Sequence, residues 1–261
     1  MTQDIDMVKE IIEKSGNSFH FKVLKHLEDL GWKTIISPYY NDNLTSKPRE
    51  IDLIAEKAFQ AKDRWNVFLG TVNVQLFIEC KYISQKTVFW FHDKNMEQAE
   101  EIITNNSPLQ KDNTYTKKHH YLDGKNRAAK LFADERSKAA ENEAFYKALN
   151  QSLNALIYYR NKGSIIKLPP GRDGYVKSIL TFPVIICNSF ENLYQVDLHQ
   201  SEEPSQIQDN FHMEVNYAYV DARANNHNEY FLLDVVSFEM LDSFLKKIET
   251  DTGLVSFFLQ T

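Results

Sequence analysis

The sequence predicts an α/β fold, a single unit over residues 1–261 that turns β-rich in its C-terminal stretch 175–261. Three observations carry this. Apolar residues recur every three or four positions in some segments and alternate in others, and the two periods interleave along the chain. Hydrophobic residues make up 43% and charged residues 25%, which supports a buried core and excludes a chain disordered throughout. No internal repeat and no clear linker divides the segments, so one layered domain accommodates them.

The elements follow in order. Residues 18–31 form a predicted helix, with Phe19, Val23, Leu27 and Leu30 on one face and Gly31 as its stop. Trp32 to Tyr40 reads as a strand, Asn41 to Pro48 as a turn, and Arg49 to Ala55 as a second strand. Asn66 to Ile83 is a longer strand, joined to the previous one as a hairpin whose loop holds Trp65 and Gly70. Thr87 to Phe91 adds a strand in which Phe89, Trp90 and Phe91 read as core, and Met96–Ile103 adds a helix. Residues 104–120 are polar and irregular, a loop or lid. Residues 126–162 read as helical, with Phe145, Ala148, Leu149, Leu153 and Leu156 as the core stripe. The predicted β-rich region holds strands at Ser178–Cys187, Leu193–Leu198, Val215–Asp221 and Tyr230–Val236. An exposed loop is expected at Ser201–Asn210, a turn at 169–174, and a last helix over Phe238–Glu249.

The charge argues against some functions. A net charge of −6 disfavours a sequence-independent nucleic-acid coat, but leaves room for an enzyme whose cleft alone is basic. Lys111 to Lys138 carries eight Lys or Arg against four Asp or Glu, which makes this side the better candidate for nucleic acid. Ser178 to Ala222 has no Lys or Arg at all. No run approaches the roughly 18 apolar residues that span a bilayer. The acidic, amphipathic start lacks a signal-peptide pattern, and Cys80 and Cys187 are too few for a disulfide framework. The expectation is a soluble cytoplasmic protein without a membrane partner.

Chemistry concentrates in two strands. Glu50 and Asp52 stand two apart and are expected to share a face, as are Glu79 and Lys81. Leu76, Phe77 and Ile78 lead into Glu79, so the second pair sits on a buried strand, where charge is costly unless paired or metal-bound. If the strands pair, Asp52 and Glu79 converge beside Lys81. Two carboxylates suit a hard cation such as magnesium, with the Cys80 backbone carbonyl as a third oxygen and its thiol turned away into the core. The plainer reading is a cross-strand salt-bridge set of Glu79 and Lys81 with Glu50 and Arg49. The upstream acidic strand, the apolar lead-in and the preceding helix together favour the chemical one.

The order helix, Gly31-Trp32, strand, Arg49-Glu50-Ile51-Asp52-Leu53-Ile54, then Phe77-Ile78-Glu79-Cys80-Lys81 resembles the restriction-endonuclease-like PD-(D/E)xK nuclease superfamily over residues 18–83. The resemblance implies a mixed central β-sheet flanked by helices and hydrolysis of phosphodiester bonds with magnesium or manganese. Asp52 and Glu79 would be metal ligands and Lys81 the catalytic lysine. It departs from the pattern at Ile51, where many members have proline, and at His20, which stands where many carry a glutamate. Glu50 could supply the missing carboxylate, His20 could bind metal or hold a water, and Gln151 could serve as the glutamine of a later helix. The long spacing from Asp52 to Glu79 implies an extended hairpin tip. By analogy with this superfamily the chain would be a DNA endonuclease, an effector in bacterial restriction or phage defence. It would cut duplexes as a homo-oligomer or under a regulatory or ATPase protein partner.

A nuclease fold without activity, serving as a DNA-binding or scaffold subunit, is the alternative, and a phosphoesterase acting on a small molecule is a third. Lys117, Lys118, His119 and His120 form a basic, aromatic-flanked cluster that could touch nucleic acid, against the reading of an exposed polar loop. The sequence shows no zinc-ligand spacing around the histidine pair.

Overall fold

The computed structural model describes residues 5–9, 12, 16–43, 45–124, 126–134, 144–164, 176–197, 199, 201–221 and 224–259. The helical period at the start becomes α1 (Asn17–Asp29), which buries Phe19, Val23, Leu24 and Leu27. It ends in a Schellman motif: Trp32 N donates to Leu27 O at 3.0 Å and Gly31 N to Glu28 O at 2.9 Å. Gly31 adopts φ +80° there, a conformation that costs any residue with a Cβ.

The chain then makes three short strands before its long hairpin. The expected single strand over 32–40 divides into β1 (Lys33–Ile36) and β2 (Tyr39–Asn41), because Ser37 takes φ 50° between them. The strand expected over 49–55 also divides, into β3 (Pro48–Glu50), which pairs with β2, and β4 (Leu53–Lys62). Asp52 therefore lies at a break in the backbone, and the strand alternation that would set Glu50 on its face does not run through it. β4 and β5 (Phe68–Lys81) form the long hairpin, with Trp65 at its tip 72% exposed.

β6 (Thr87–Asp93) is followed by α2 (Met96–Asn106), whose Asn95 cap accepts from Gln98 N. Residues 127–134 are not helical as expected but form β7 (Arg127–Asp134), held between β6 and β11; the helix behind the apolar stripe is the shorter α3 (Ala144–Tyr159). β8 (Val176–Cys187), β9 (Leu193–Asp197), β10 (Ser201–Gln206), β11 (Phe211–Val220) and β12 (Asn226–Ser237) follow, and α4 (Leu241–Phe258) closes the described chain. The Ser201–Asn210 segment is thus an edge strand in its first part instead of a loop. The turn expected at 169–174 lies outside the described residues.

The protein is mixed α/β, with one ten-stranded sheet in the order β1-β4-β5-β8-β12-β11-β7-β6-β9-β10 and a small sheet of β2 and β3. β8 runs parallel to β5, and β12 parallel to β8. The C-terminal strands are therefore not an extension: β8 and β12 occupy the middle of the sheet. This explains why β5 is buried from Gly70 to Cys80, since a central parallel strand is covered on both faces. On one face Leu53, Val72, Val74, Leu76 and Ile78 pack with α1, α2 and α4; on the other, Ile54 and Phe77 pack with Phe145, Leu149 and Leu153 of α3. Each such buried side chain contributes about 1.5–3 kcal/mol. Among the described residues no helix is long and apolar enough to cross a membrane.

Candidate active site

The register that pairs Leu53 with Ile78 sets Asp52 opposite Glu79, one step beyond the last pair of the β4–β5 ladder. This point is the carboxyl end of the parallel group, where Lys81 of β5 meets Cys187 of β8 and Ser237 of β12 meets the same residue. Open α/β sheets place ligands at such ends. Asp52 N donates to Glu79 Oε1 at 3.3 Å, and Lys81 Nζ to Glu79 Oε2 at 2.8 Å. Cys80 N donates to Asp52 Oδ2 at 2.7 Å, and His20 Nε2 lies 3.3 Å from the same oxygen.

Alternation along β5 divides these groups between two faces. Glu79 and Lys81 follow Phe77 toward the α3 side, while Cys80 packs with the core under α1. Asp52, at the backbone break, reaches both. Glu79 has no exposed surface, whereas the Lys81, Asp52 and His20 side chains keep 21%, 18% and 26% of theirs. The open side of the site thus presents an ammonium, a carboxylate and an imidazole. Burial pushes the Glu79 carboxyl up to about 8, a shift that the neighbouring Lys81 ammonium only partly offsets. Burial would lower Lys81, but Glu79 and then Asp52 hold it above its ordinary value, so it stays charged. Tyr40, which no sequence signal singles out, is buried nearby, and its phenol is raised by burial and then by Glu79.

The sequence-derived candidates divide on this geometry. Asp52, Glu79 and Lys81 meet. His20 joins Asp52, and Cys80 does so through its amide and thiol: its Sγ, a His20 ring nitrogen and an Asp52 oxygen all lie within 4.8 Å of one another. The thiol does turn into the core, away from Glu79 and Lys81 as expected, but it stays within reach of Asp52 and His20. Glu79 is outside that group, its oxygens being taken by Asp52 N and Lys81. Glu50 has no part in the hydrogen bonds of Asp52 or Glu79; its backbone oxygen accepts from Gln151 Nε2 at 2.9 Å, so Gln151 braces the backbone beside the site.

Lys117 and Lys118 lie exposed in a short 3-10 turn, but His119 and His120 are 4% and 5% exposed. Base stacking by these two rings is closed off by burial. Instead they meet His212, Asp234, Asp251, Lys94 and Tyr121, brought together from β11, β12, α4 and the end of β6. His120 lies between two carboxylates: Nδ1 on Asp251 Oδ2, Nε2 3.4 Å from Asp234 Oδ2. His119 Nδ1 accepts from Tyr121 N at 3.2 Å, so its proton is on Nε2, 3.4 Å from Asp251. His212 Nδ1 faces Lys94 Nζ at 3.0 Å, which likewise leaves its proton on Nε2 facing Asp234 at 3.3 Å. Burial lowers His119 and His212 to about 4, so both are neutral. Burial acts on His120 in the same direction, but Asp251 and then Asp234 overturn it and hold His120 at about 9. The imidazolium of His120 and the Lys94 ammonium thus balance two carboxylates. Three histidines and two aspartates lie at metal-binding separations here, but every ring nitrogen already has a proton or a donor to serve. Partners 114 and 131 residues from His120 left no local spacing to find.

Compared with protein-family models, with curated proteins and with solved structures, the chain finds no significant match.

Proposed function

We propose that this chain is a divalent-metal-dependent nuclease that hydrolyses phosphodiester bonds of DNA on a restriction-endonuclease-like core. The observation that carries the reading is the meeting of Asp52, Glu79 and Lys81 at one strand end, with Lys81 and Asp52 open to solvent and Glu79 behind them. Asp52 and His20, with Cys80 behind, give an acidic and nitrogenous donor set that fits a divalent cation. Such a cation supplies Lewis acidity and lowers the pKa of bound water.

The chain's own groups do the rest. Hydrolysis forms a bond from water oxygen to phosphorus and breaks one P–O ester bond, and the leaving oxygen takes up a proton. Lys81 Nζ, held by Glu79, places a fixed positive charge where negative charge grows on the phosphoryl oxygens. Glu79 positions this lysine and, through Asp52 N, the backbone that carries Asp52. Gln151 steadies the same segment from α3 through Glu50 O.

Plasmid and linear DNA incubated with magnesium, manganese or zinc provide the test. Cleavage by the wild-type chain and its loss in Lys81→Ala and Asp52→Ala, both still folded, is the expected result. A second reading, a nuclease fold without activity that serves as a DNA-binding subunit, is favoured by one observation: both Glu79 oxygens are already engaged by the chain. DNA binding without cleavage under every cation, in the presence of a cellular extract as well, would establish it and overturn the first.

A further inference from the structure

The geometry points to a transition-metal site built by His20 Nε2, Asp52 Oδ and Cys80 Sγ, one that takes a zinc-class divalent cation in preference to magnesium. This rests on the metal-dependent reading above and narrows it. The sequence reading expects an oxygen-ligand site for magnesium on Asp52, Glu79 and the Cys80 carbonyl, with His20 as a further candidate. Here the second carboxylate, Glu79, faces Asp52 N and Lys81, while the groups clustered with Asp52 are an imidazole and a thiol.

Three features fit coordination. The His20 Nε2–Asp52 Oδ2 separation of 3.3 Å matches the edge between two ligands of a tetrahedral ion with bonds of about 2.0–2.1 Å. The Asp52 carboxylate is oriented by Cys80 N at 2.7 Å, which fixes one oxygen toward the cluster. The three residues come from α1, the break before β4 and the end of β5, so the ion would tie the first helix to the catalytic strand end. Cys80 is 4% exposed and forms the inner wall, while His20 and Asp52 are partly exposed and leave the way in. Magnesium demands oxygen ligands and keeps its waters; imidazole and sulfur donors instead favour the later first-row ions, in the order manganese, iron, cobalt, then zinc or copper. Binding replaces the thiol proton of Cys80 with the metal, and the proton passes to solvent.

Anaerobic titration of the full chain with cobalt(II), read by absorption, tests this without any activity assay. The expected result is a near-ultraviolet thiolate-to-cobalt charge-transfer band with a tetrahedral visible spectrum. The band should be lost in Cys80→Ser, and cobalt affinity should fall at least about tenfold in His20→Ala. Calorimetry should rank zinc and cobalt above manganese and manganese above magnesium. The wild-type spectrum decides even if a variant misfolds: no thiolate band overturns the proposal, as does magnesium binding equal to that of cobalt. A cobalt–thiolate band in a chain that cleaves no DNA under any cation upholds this site and overturns the nuclease reading. Magnesium-driven cleavage unaffected by His20→Ala and Cys80→Ser does the reverse.

Discussion

A carboxyl group with no exposed surface, like that of Glu79, is tolerated only through its partners and its proton. Burial holds its pKa near 8, and among the described residues Lys81 supplies the only cation bonded to it. Removing the cation does not strand a bare charge, because the carboxyl can take up a proton in its place. Lys81→Met is therefore expected to cost no more than about 1–3 kcal/mol of stability. Cleavage in the same variant should fall by roughly 100-fold or more, the scale of losing one fixed electrostatic group. Urea unfolding and single-turnover cleavage measured side by side check this. A variant that fails to fold would show that Lys81 acts in stability before it acts in chemistry. At this scale the sequence was informative where local order suffices: the spacing of Glu79 and Lys81, the apolar lead-in and the distance from His20 to Gly31 were all readable. The core side of the Cys80 thiol followed from alternation along β5, but Glu50 was misplaced because its face depended on how the backbone turns at Ile51–Asp52, and residue pattern does not encode that break.

Among the elements, those with a strong apolar period were legible: α1, the β4–β5 hairpin, the stripe of α3 and α4. β7 was not, because Arg127-Ala-Ala-Lys-Leu-Phe-Ala-Asp has helical propensity, and only pairing with β6 along Thr87–Asp93 makes it a strand. β10 escaped because Ser201–Gln206 is polar throughout, as an edge strand can be. Two substitutions probe what the legible elements rest on. Gly31→Ala places a Cβ at φ +80°, with no neighbouring atom within 4 Å to clash, so its cost is backbone strain alone, about 1–2 kcal/mol in chemical denaturation. Leu153→Ala opens a cavity under the fully buried face of α3 and is expected to cost about 2–5 kcal/mol. A smaller loss would mean that α3 settles into the space.

Across the whole molecule the buried His120 cluster joins β11, β12 and the 119–121 segment to α4. Its titration has a definite sign. His120 is raised in the folded chain, so its contribution is complete below its ordinary value of 6.5 and is lost as pH rises through about 9. His119 and His212, lowered to about 4, act oppositely, and their part is lost as pH falls from 6.5 through 4. The denaturation midpoint should therefore decline from pH 6.5 to 8, above which Lys94, lowered by burial to about 8, acts oppositely, and this decline should flatten in His120→Gln. An unchanged slope would remove the cluster from the account of stability.

The central place of β8 and β12 has a consequence in time. The strand bearing Glu79 and Lys81 is made well before its parallel neighbour β8, which ends at Cys187, and the next, β12, which ends at Ser237. Pairings this distant in sequence form slowly, because a long loop must close before any contact rewards it. A nascent chain on the ribosome therefore carries the candidate catalytic residues well before it carries the sheet that aligns them. If the proposed nuclease activity holds, it would stay silent until the chain has been made through Ser237.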